Sequence, residues 1–246
     1  MENNLALKIS HLRHSFPGEG KKKSEVIKDI SFEVRKGEFL SIVGPSGGGK
    51  STLLRILAGL LKQTGGSLEL SSNSSKMAMV FQNFAIFPWL TVYENIEFGL
   101  KMSGMPAGER GTIVREKIKE VGLTGFEDKY PKELSGGMRQ RVGIARALAV
   151  NPEILLVDEP FSSLDSFTAE KLREDLLNIW LRYKMTVVMV THLVEEAVQL
   201  SDRVLVLSQR PAAIKLEVDV PLARPRDRRA AEFYALVDKI TTEIEQ

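Results

Sequence analysis

The chain of 246 residues contains no cysteine, which excludes a disulfide framework and thiol chemistry and fits a reducing compartment. No stretch approaches the run of about 18 apolar residues that a bilayer-spanning helix needs. The start, Met1-Glu2-Asn3-Asn4, has neither the basic region nor the apolar run of a secretory signal. The expected place is therefore the cytoplasm, with another chain holding the protein at a membrane if it works there. A net charge of +2 is too small to point to nucleic acid. Internal repeats and low-complexity segments are also missing.

What is present is ordinary globular composition, 43% hydrophobic and 27% charged, long enough for a sizeable core. Within it stands Gly44-Pro45-Ser46-Gly47-Gly48-Gly49-Lys50-Ser51, which satisfies the phosphate-loop pattern G-x-x-x-x-G-K-[ST]. Four glycines let backbone N–H groups approach a phosphate with no Cβ in the way. Lys50 supplies a mobile point charge for the outer phosphates. Ser51 offers a hydroxyl oxygen to Mg²⁺, a hard cation. Phe39 to Val43 before the loop reads as a buried strand, and Ser51 to Leu61 after it as a helix whose N-terminus faces the anion.

Along the chain, residues 5–16 and 30–35 read as strands with a loop over 18–24 that holds Lys21-Lys22-Lys23, a solvated turn. A break at Thr64-Gly65-Gly66 precedes a short strand over 67–70, a polar loop over 71–75 and a buried strand over 77–81. Residues 84–134 turn helical, with Pro88 and Pro106 as breakers and helices over 91–101 and 108–121. Leu134 to Gly137 opens another helix running to about Val150. Four strands follow, over 154–157, 186–190, 203–207 and 213–220, with helices over 167–183, 194–200 and 227–244. Strands alternating with helices predict an α/β fold with a mainly parallel sheet.

Several residues beyond the loop bear chemistry. Asp158 and Glu159 end the apolar run Ile154 to Val157, at the strand end where open α/β sheets bind ligands. Asp158 suits Mg²⁺ and Glu159 an attacking water; the pair could equally cap a following helix. His192 ends another apolar strand, where it could contact a γ-phosphate or simply be a satisfied surface histidine. Gln82 ends a third; its amide can ligate Mg²⁺, although spacing alone favours a surface glutamine. Ser135-Gly136-Gly137 before a helix exposes backbone N–H groups at a positive dipole end, or is merely a serine cap. A second phosphate cradle in one chain would imply a second nucleotide, or one nucleotide approached from another subunit.

From about Leu5 to Leu207 these motifs, in this order, resemble the ATP-binding subunit of ABC transporters. Gly44 to Ser51 looks like Walker A, Gln82 the Q-loop, Leu134 to Met138 the LSGGQ signature with Met138 in place of Gln, Ile154 to Glu159 Walker B, Ser162 to Asp165 the D-loop and His192 the switch histidine. The resemblance implies a P-loop NTPase (RecA-like) core with an N-terminal antiparallel part and a helical subdomain inserted over about 84–140. The whole chain would then be one ATPase domain with a C-terminal extension over 208–246. It also implies that Phe16 stacks on adenine, where the family more often has Tyr; a core role for Phe16 is the other reading. ATP would be bound by Gly44, Pro45, Ser46, Gly47, Gly48, Gly49, Lys50, Ser51 and Thr52 of one copy. Ser135, Gly136, Gly137 and Asp165 of a second copy, head to tail, would close over it. Mg²⁺ would lie on Ser51, Gln82 and Asp158, with Glu159, Gln82 and His192 serving hydrolysis.

Phe87-Pro88-Trp89-Leu90-Thr91-Val92, Glu94-Asn95-Ile96, Gln209-Arg210-Pro211 and Ala223-Arg224-Pro225-Arg226-Asp227 resemble the branch that imports nitrate, taurine and alkanesulfonates. There Phe84, Phe87 and Trp89 would meet a membrane permease, unless they belong to a helical core. A solute-binding protein would be an indirect partner, and the chain would sit on the cytoplasmic face of the inner membrane. An exporter subunit shares every ATPase motif. A soluble ABC ATPase usually carries tandem units or a long coiled coil, which this chain lacks.

Overall fold

The computed structural model describes residues 4–18, 23–71 and 76–246. The expected terminus at 1–3, most of the lysine loop and most of the 71–75 loop lie outside the described residues. The chain divides into two compact units, Met1–Ser75 with Lys184–Gln246, and Lys76–Tyr183.

The first unit is built on a mixed sheet in the order β4-β1-β2-β9-β8-β3-β7. Its strands are β1 (Leu5–Pro17), β2 (Lys23–Arg35), β3 (Phe39–Val43), β4 (Gly65–Leu70), β7 (Thr186–Thr191), β8 (Arg203–Leu207) and β9 (Ala212–Asp219). Every residue of β3, β7 and β8 is buried, as their largely apolar runs demand, and β3 pairs in parallel with both neighbours. The N-terminal part differs in kind. β1 pairs antiparallel with β2 and β4, and both long strands largely alternate buried and exposed residues. Helices α1 (Lys50–Leu57), α6 (Val194–Leu200) and α7 (Ala231–Glu245) complete the unit. Phe233 and Ile240 of α7 pack with Ala197, Val204, Val206 and Val218 in one buried cluster.

The second unit holds the parallel pair β5 (Met77–Val80) and β6 (Ile154–Asp158), with helices α2 (Val92–Met102), α3 (Ala107–Glu120), α4 (Gly136–Ala149) and α5 (Ser166–Tyr183). Val92, Ile96 and Leu100 of α2, Val114 and Ile118 of α3, and Val142 and Ala145 of α4 share a core. Thr91 starts α2 with a reciprocal cap: its hydroxyl accepts from Glu94 N–H at 3.2 Å, and Glu94 accepts from Thr91 N–H at 2.8 Å.

Four boundaries differ from the sequence reading by more than one residue. β2 begins at Lys23, not Ile30, because Val26 and Ile27 are buried among its neighbours although polar residues surround them in the chain. α1 ends at Leu57 rather than Leu61, since Gly59 turns left-handed at φ 70° and leaves Leu60 exposed. β4 already starts at Gly65, where a break was expected, because Arg13 pairs with Gly65. α7 starts at Ala231; Asp227 instead accepts from Arg229 N–H at 2.8 Å in a turn before the helix.

Buried polar groups peg the N-terminal ends of the parallel strands. Arg203 donates to Glu38 at 2.7 Å, to Glu217 at 2.6 Å and to the Glu33 carbonyl at 2.6 Å. Burial disfavours its charge, but the bonds to Glu38 and Glu217 outweigh that and raise its pKa. Removing Arg203 would leave the buried Glu38 carboxylate without its charge partner. Arg203→Met is therefore expected to cost about 3 kcal/mol in denaturant unfolding; a loss below about 1 kcal/mol would show the network to be replaceable.

Candidate functional site

In the first unit, register gathers three chain segments at one sheet edge. Val43, the last residue of β3, pairs with Thr191 on one side and Val206 on the other. Gly44 therefore leaves its strand beside His192 and beside Leu207. The loop that follows is packed as only glycine allows. A Cβ at Gly44 would lie 2.8 Å from the Leu207 carbonyl, and one at Gly48 would lie 2.9 Å from Pro45 O. Gly49 caps α1 at φ 89°. Lys50 is buried, and its ammonium donates to Gly44 O at 2.8 Å and Pro45 O at 2.9 Å, which lays it along the mouth of the loop. Pro45, Ser51 and Thr52 are half-buried, and Ser46 and Gly47 are exposed.

His192 is exposed on the bend between β7 and α6. The bend is fixed from beneath. Buried Thr191 donates to buried Glu196 at 2.7 Å and accepts from Leu193 N–H at 3.1 Å. Phe16 stands at the end of β1, 39% exposed, so it is not a core residue. His14 meets it edge-on with ring centroids 4.6 Å apart. The P-loop reaches the same strands, since a Cβ at Gly49 would lie 3.1 Å from Val26 Cγ1 of β2.

In the second unit, Val80 pairs with Val157, which places Gln82 beside Asp158 and Glu159. Gln82 Nε2 donates to Glu159 at 3.3 Å and to Ser162 at 3.3 Å, leaving the amide oxygen for another partner. Asp158 is buried and Glu159 half-buried. Glu159 sits at φ 43°, a left-handed conformation that costs a non-glycine residue roughly 1–3 kcal/mol. Ser162 holds that turn by donating to the Glu159 carbonyl at 3.1 Å.

Ser135 caps α4, its hydroxyl oxygen accepting from Met138 N–H at 3.2 Å. The hydroxyl proton remains to be donated elsewhere. Gly137 has a packing role as well, because a Cβ there would lie 2.5 Å from Thr168 Cγ2. Gly136 lies against Leu164 in the same way, at 3.3 Å. Asp165 caps α5 by accepting from Thr168 N–H at 2.9 Å, and this bond holds its pKa below the usual carboxylate range. The Ser135 and Asp165 motifs thus adjoin each other in this unit.

Of the three aromatics, Phe87 and Trp89 lie together against Phe98 of α2, while the Phe84 ring lies under the Arg139 guanidinium. Phe87 contacts Trp89 at 5.6 Å and Phe98 at 4.6 Å between centroids. Trp89 is 69% exposed. Fully buried Asn95 fastens this loop, accepting from Phe87 N–H at 2.8 Å and donating to the carbonyls of Phe87, Leu90 and Thr91. Phe84 and Ala85 lie at φ 60° and 45°. Arg146 of α4 clasps them, donating to Ala85 O at 2.8 Å while its guanidinium lies over the Phe87 ring; burial lowers its pKa. Asn95 entered the sequence reading only within the Glu94-Asn95-Ile96 resemblance, and Arg146 and Glu196 carried no signal, because each acts on backbone or hydroxyl groups rather than on a ligand.

The chain is similar to known proteins along most of its length. The pattern of the ABC transporter family matches residues 27–162. An uncharacterized ABC transporter ATP-binding protein of Methanocaldococcus jannaschii is 49% identical, covering 96% of this chain and 90% of its own length. The nitrate import ATP-binding protein NrtD of Synechocystis sp. is 43% identical over 97% of this chain and 94% of its own length. The aliphatic sulfonates import ATP-binding protein SsuB of Bacillus subtilis is 41% identical over 98% and 95%. Among solved structures, a dimeric ATP-binding cassette in a post-hydrolysis state with ADP and Pi superposes with a TM-score of 0.77 at 33% identity, covering 88% of this chain and 100% of that one. With the family pattern spanning more than half of its length and such relatives along nearly all of it, this chain belongs to the ABC transporter family, as an ATP-binding subunit with ATPase activity.

Proposed function

We propose that this chain powers an importer of small anions such as nitrate, taurine or alkanesulfonates, as two copies closing head to tail over two ATP molecules. The ATPase reading is carried by the P-loop, where Lys50 lies across a loop packed too closely at Gly44 and Gly48 to admit a Cβ. The anion reading rests on likeness along nearly the full length to nitrate and sulfonate import proteins. The dimer reading is supported by the dimeric cassette of similar fold and by the serine-glycine cap of α4, a second anion cradle in one chain.

In this reading Gly44 to Thr52 hold the phosphates and Phe16 stacks on adenine. Ser135, Gly136, Gly137 and Asp165 reach the nucleotide of the other copy. Hydroxyl, amide and carboxylate oxygens of Ser51, Gln82 and Asp158 suit Mg²⁺, which would supply charge neutralisation at the phosphates. Glu159 accepts the proton of the attacking water. Gln82, bonded to the same carboxylate, orients it. His192 contacts the γ-phosphate, and ATP and ADP then differ in how strongly they favour closure.

Among the described residues no helix is long and apolar enough to cross a membrane. The chain would act from the cytoplasmic face of the inner membrane, bound to permease subunits that receive solute from a binding protein. Phe84, Phe87 and Trp89, on the helical part spanning about 84–140, form the permease contact. Trp89 is the anchor, being a large ring held out by a rigid loop.

Glu159→Gln removes the base and keeps the shape. ATP binding is expected to survive, hydrolysis to fall by roughly two orders of magnitude or more, and a dimer to persist on gel filtration with ATP. A monomer under those conditions would sink the shared-site reading. Trp89→Ala is expected to weaken co-purification with the permease by roughly tenfold or more while ATP affinity is unchanged. Parallel loss of both would assign Trp89 to folding instead.

A further inference from the structure

The turn between β8 and β9, Ser208 to Pro211, touches the P-loop on one side and the strand opposite Phe16 on the other. A Cβ at Gly44 would lie 2.8 Å from Leu207 O, one at Gly48 would lie 3.2 Å from Ser208 O, and one at Gly49 would lie 3.5 Å from Ala212 Cβ. The loop therefore abuts both ends of the turn. The turn is also closed on itself: Ser208 N–H donates to Ala213 O at 2.9 Å, and Ala213 N–H donates to the Ser208 hydroxyl at 3.0 Å.

On the far side, β9 pairs in parallel with β2 only at Ile27–Ala212 and Asp29–Ala213. Toward the start of β2 the ladder stops, and Arg210 takes its place. Its Nε donates to Glu25 O at 3.0 Å, and its Nη2 donates to Ser24 Oγ at 2.6 Å and to Ser24 O at 3.5 Å. Ser24 and Glu25 are the register partners of Phe16 and Ser15 on β1. That end of β1 has little else to fix it, since β1 shifts register at four earlier places and its pairing with β4 ends at Arg13.

We propose that Arg210 is a positioning residue for the nucleotide base. It holds the β1–β2 end, and so the Phe16 ring, at a set distance from the P-loop. His14 steadies the same ring edge-on from its buried position. The inference rests on reading Phe16 as the stacking ring, and it gives the turn a defined place in base recognition. A fork of N–H donors suits the task, because two carbonyls and a hydroxyl on adjacent residues need several donors at fixed angles.

The test compares two ligands on the full-length chain, MgATP and magnesium tripolyphosphate. The second carries the three phosphates with no base. Phe16→Ala and Arg210→Ala are each expected to weaken ATP about three- to tenfold and to leave tripolyphosphate within about twofold. Arg210→Lys, with one compact head in place of the fork, should fall between. Since Arg210 acts through Phe16, the double variant should bind ATP no more weakly than Phe16→Ala alone. If Phe16→Ala lowers the ratio of ATP to tripolyphosphate affinity and Arg210→Ala does not, the positioning role is overturned while the stacking role stands. If Arg210→Ala weakens both ligands equally, the turn supports the P-loop alone and the inference fails. If Phe16→Ala leaves the ratio unmoved, stacking and positioning fall together.

Discussion

Polar pegs at the buried starts of three parallel strands set the register on which the first unit's site depends. A strand buried on both faces has no apolar-polar alternation to fix its alignment, so a slip would go unpunished by burial alone. Here Gly37 N–H donates to Thr186 Oγ1 at 3.0 Å, Phe39 N–H donates to Asp202 at 2.9 Å, Ser201 bonds Ser41, and Arg203 holds Glu38. Sliding β7 or β8 along β3 would leave several of these groups buried without partners, at roughly 1–3 kcal/mol each. The functional residues lie at the other ends of the same strands. Gly44, His192 and Leu207 emerge together because Val43 cannot pair with anything but Thr191 and Val206.

The second unit places backbone strain at its functional turns. Glu159, Phe84 and Ala85 all adopt left-handed backbone, and none is glycine. Each is held by a group from elsewhere in the unit. Ser162 folds back on Glu159, and Arg146 reaches from α4 to the Phe84–Ala85 turn. Gly143 adds to the clasp, since a Cβ there would come within 3.3 Å of Phe84 O. Strain of this kind persists only where neighbours over-determine it, and here it coincides with a proposed base and a proposed docking turn. The same helix begins at Ser135, so one rigid element runs from the signature cap to the aromatic loop.

The sequence was legible where function is written locally. The P-loop, the strand ends at Asp158 and His192, and the serine-glycine start of α4 each need a fixed residue type at a fixed spacing, and each stands where the pattern placed it. Legibility failed where a residue takes its meaning from distant chain. The first half of β2 reads as a polar loop because Lys23, Ser24 and Glu25 are held by β1 and by Arg210, which is 185 residues away from Glu25 in the chain. Asn95 stood in the sequence only as part of the Glu94-Asn95-Ile96 resemblance, yet it is fully buried and gathers four backbone groups. The end of α1 was present in the sequence as Gly59. The apolar Leu60 and Leu61 carried the helical period past it, although left-handed backbone at that glycine stops the helix.

Met138 shows why a departure from the family pattern need not alter the site. Its side chain packs against the core shared by α2, α3 and α4, while its N–H donates to Ser135. What position 138 gives the cap is a backbone donor, and methionine has the same one as glutamine. The apolar side chain is instead useful to the helical core, where glutamine would need a partner for its amide. The neighbouring glycines are constrained by Leu164 and Thr168 of their own chain before any nucleotide is considered. The start of α4 is thus built by contacts internal to its unit, with its backbone N–H groups fixed in advance of any partner. The P-loop is built the same way against Leu207, Ser208 and Val26. Both cradles are thus preformed by packing within their own chain, so in the proposed head-to-tail dimer neither would have to fold around the phosphate it receives.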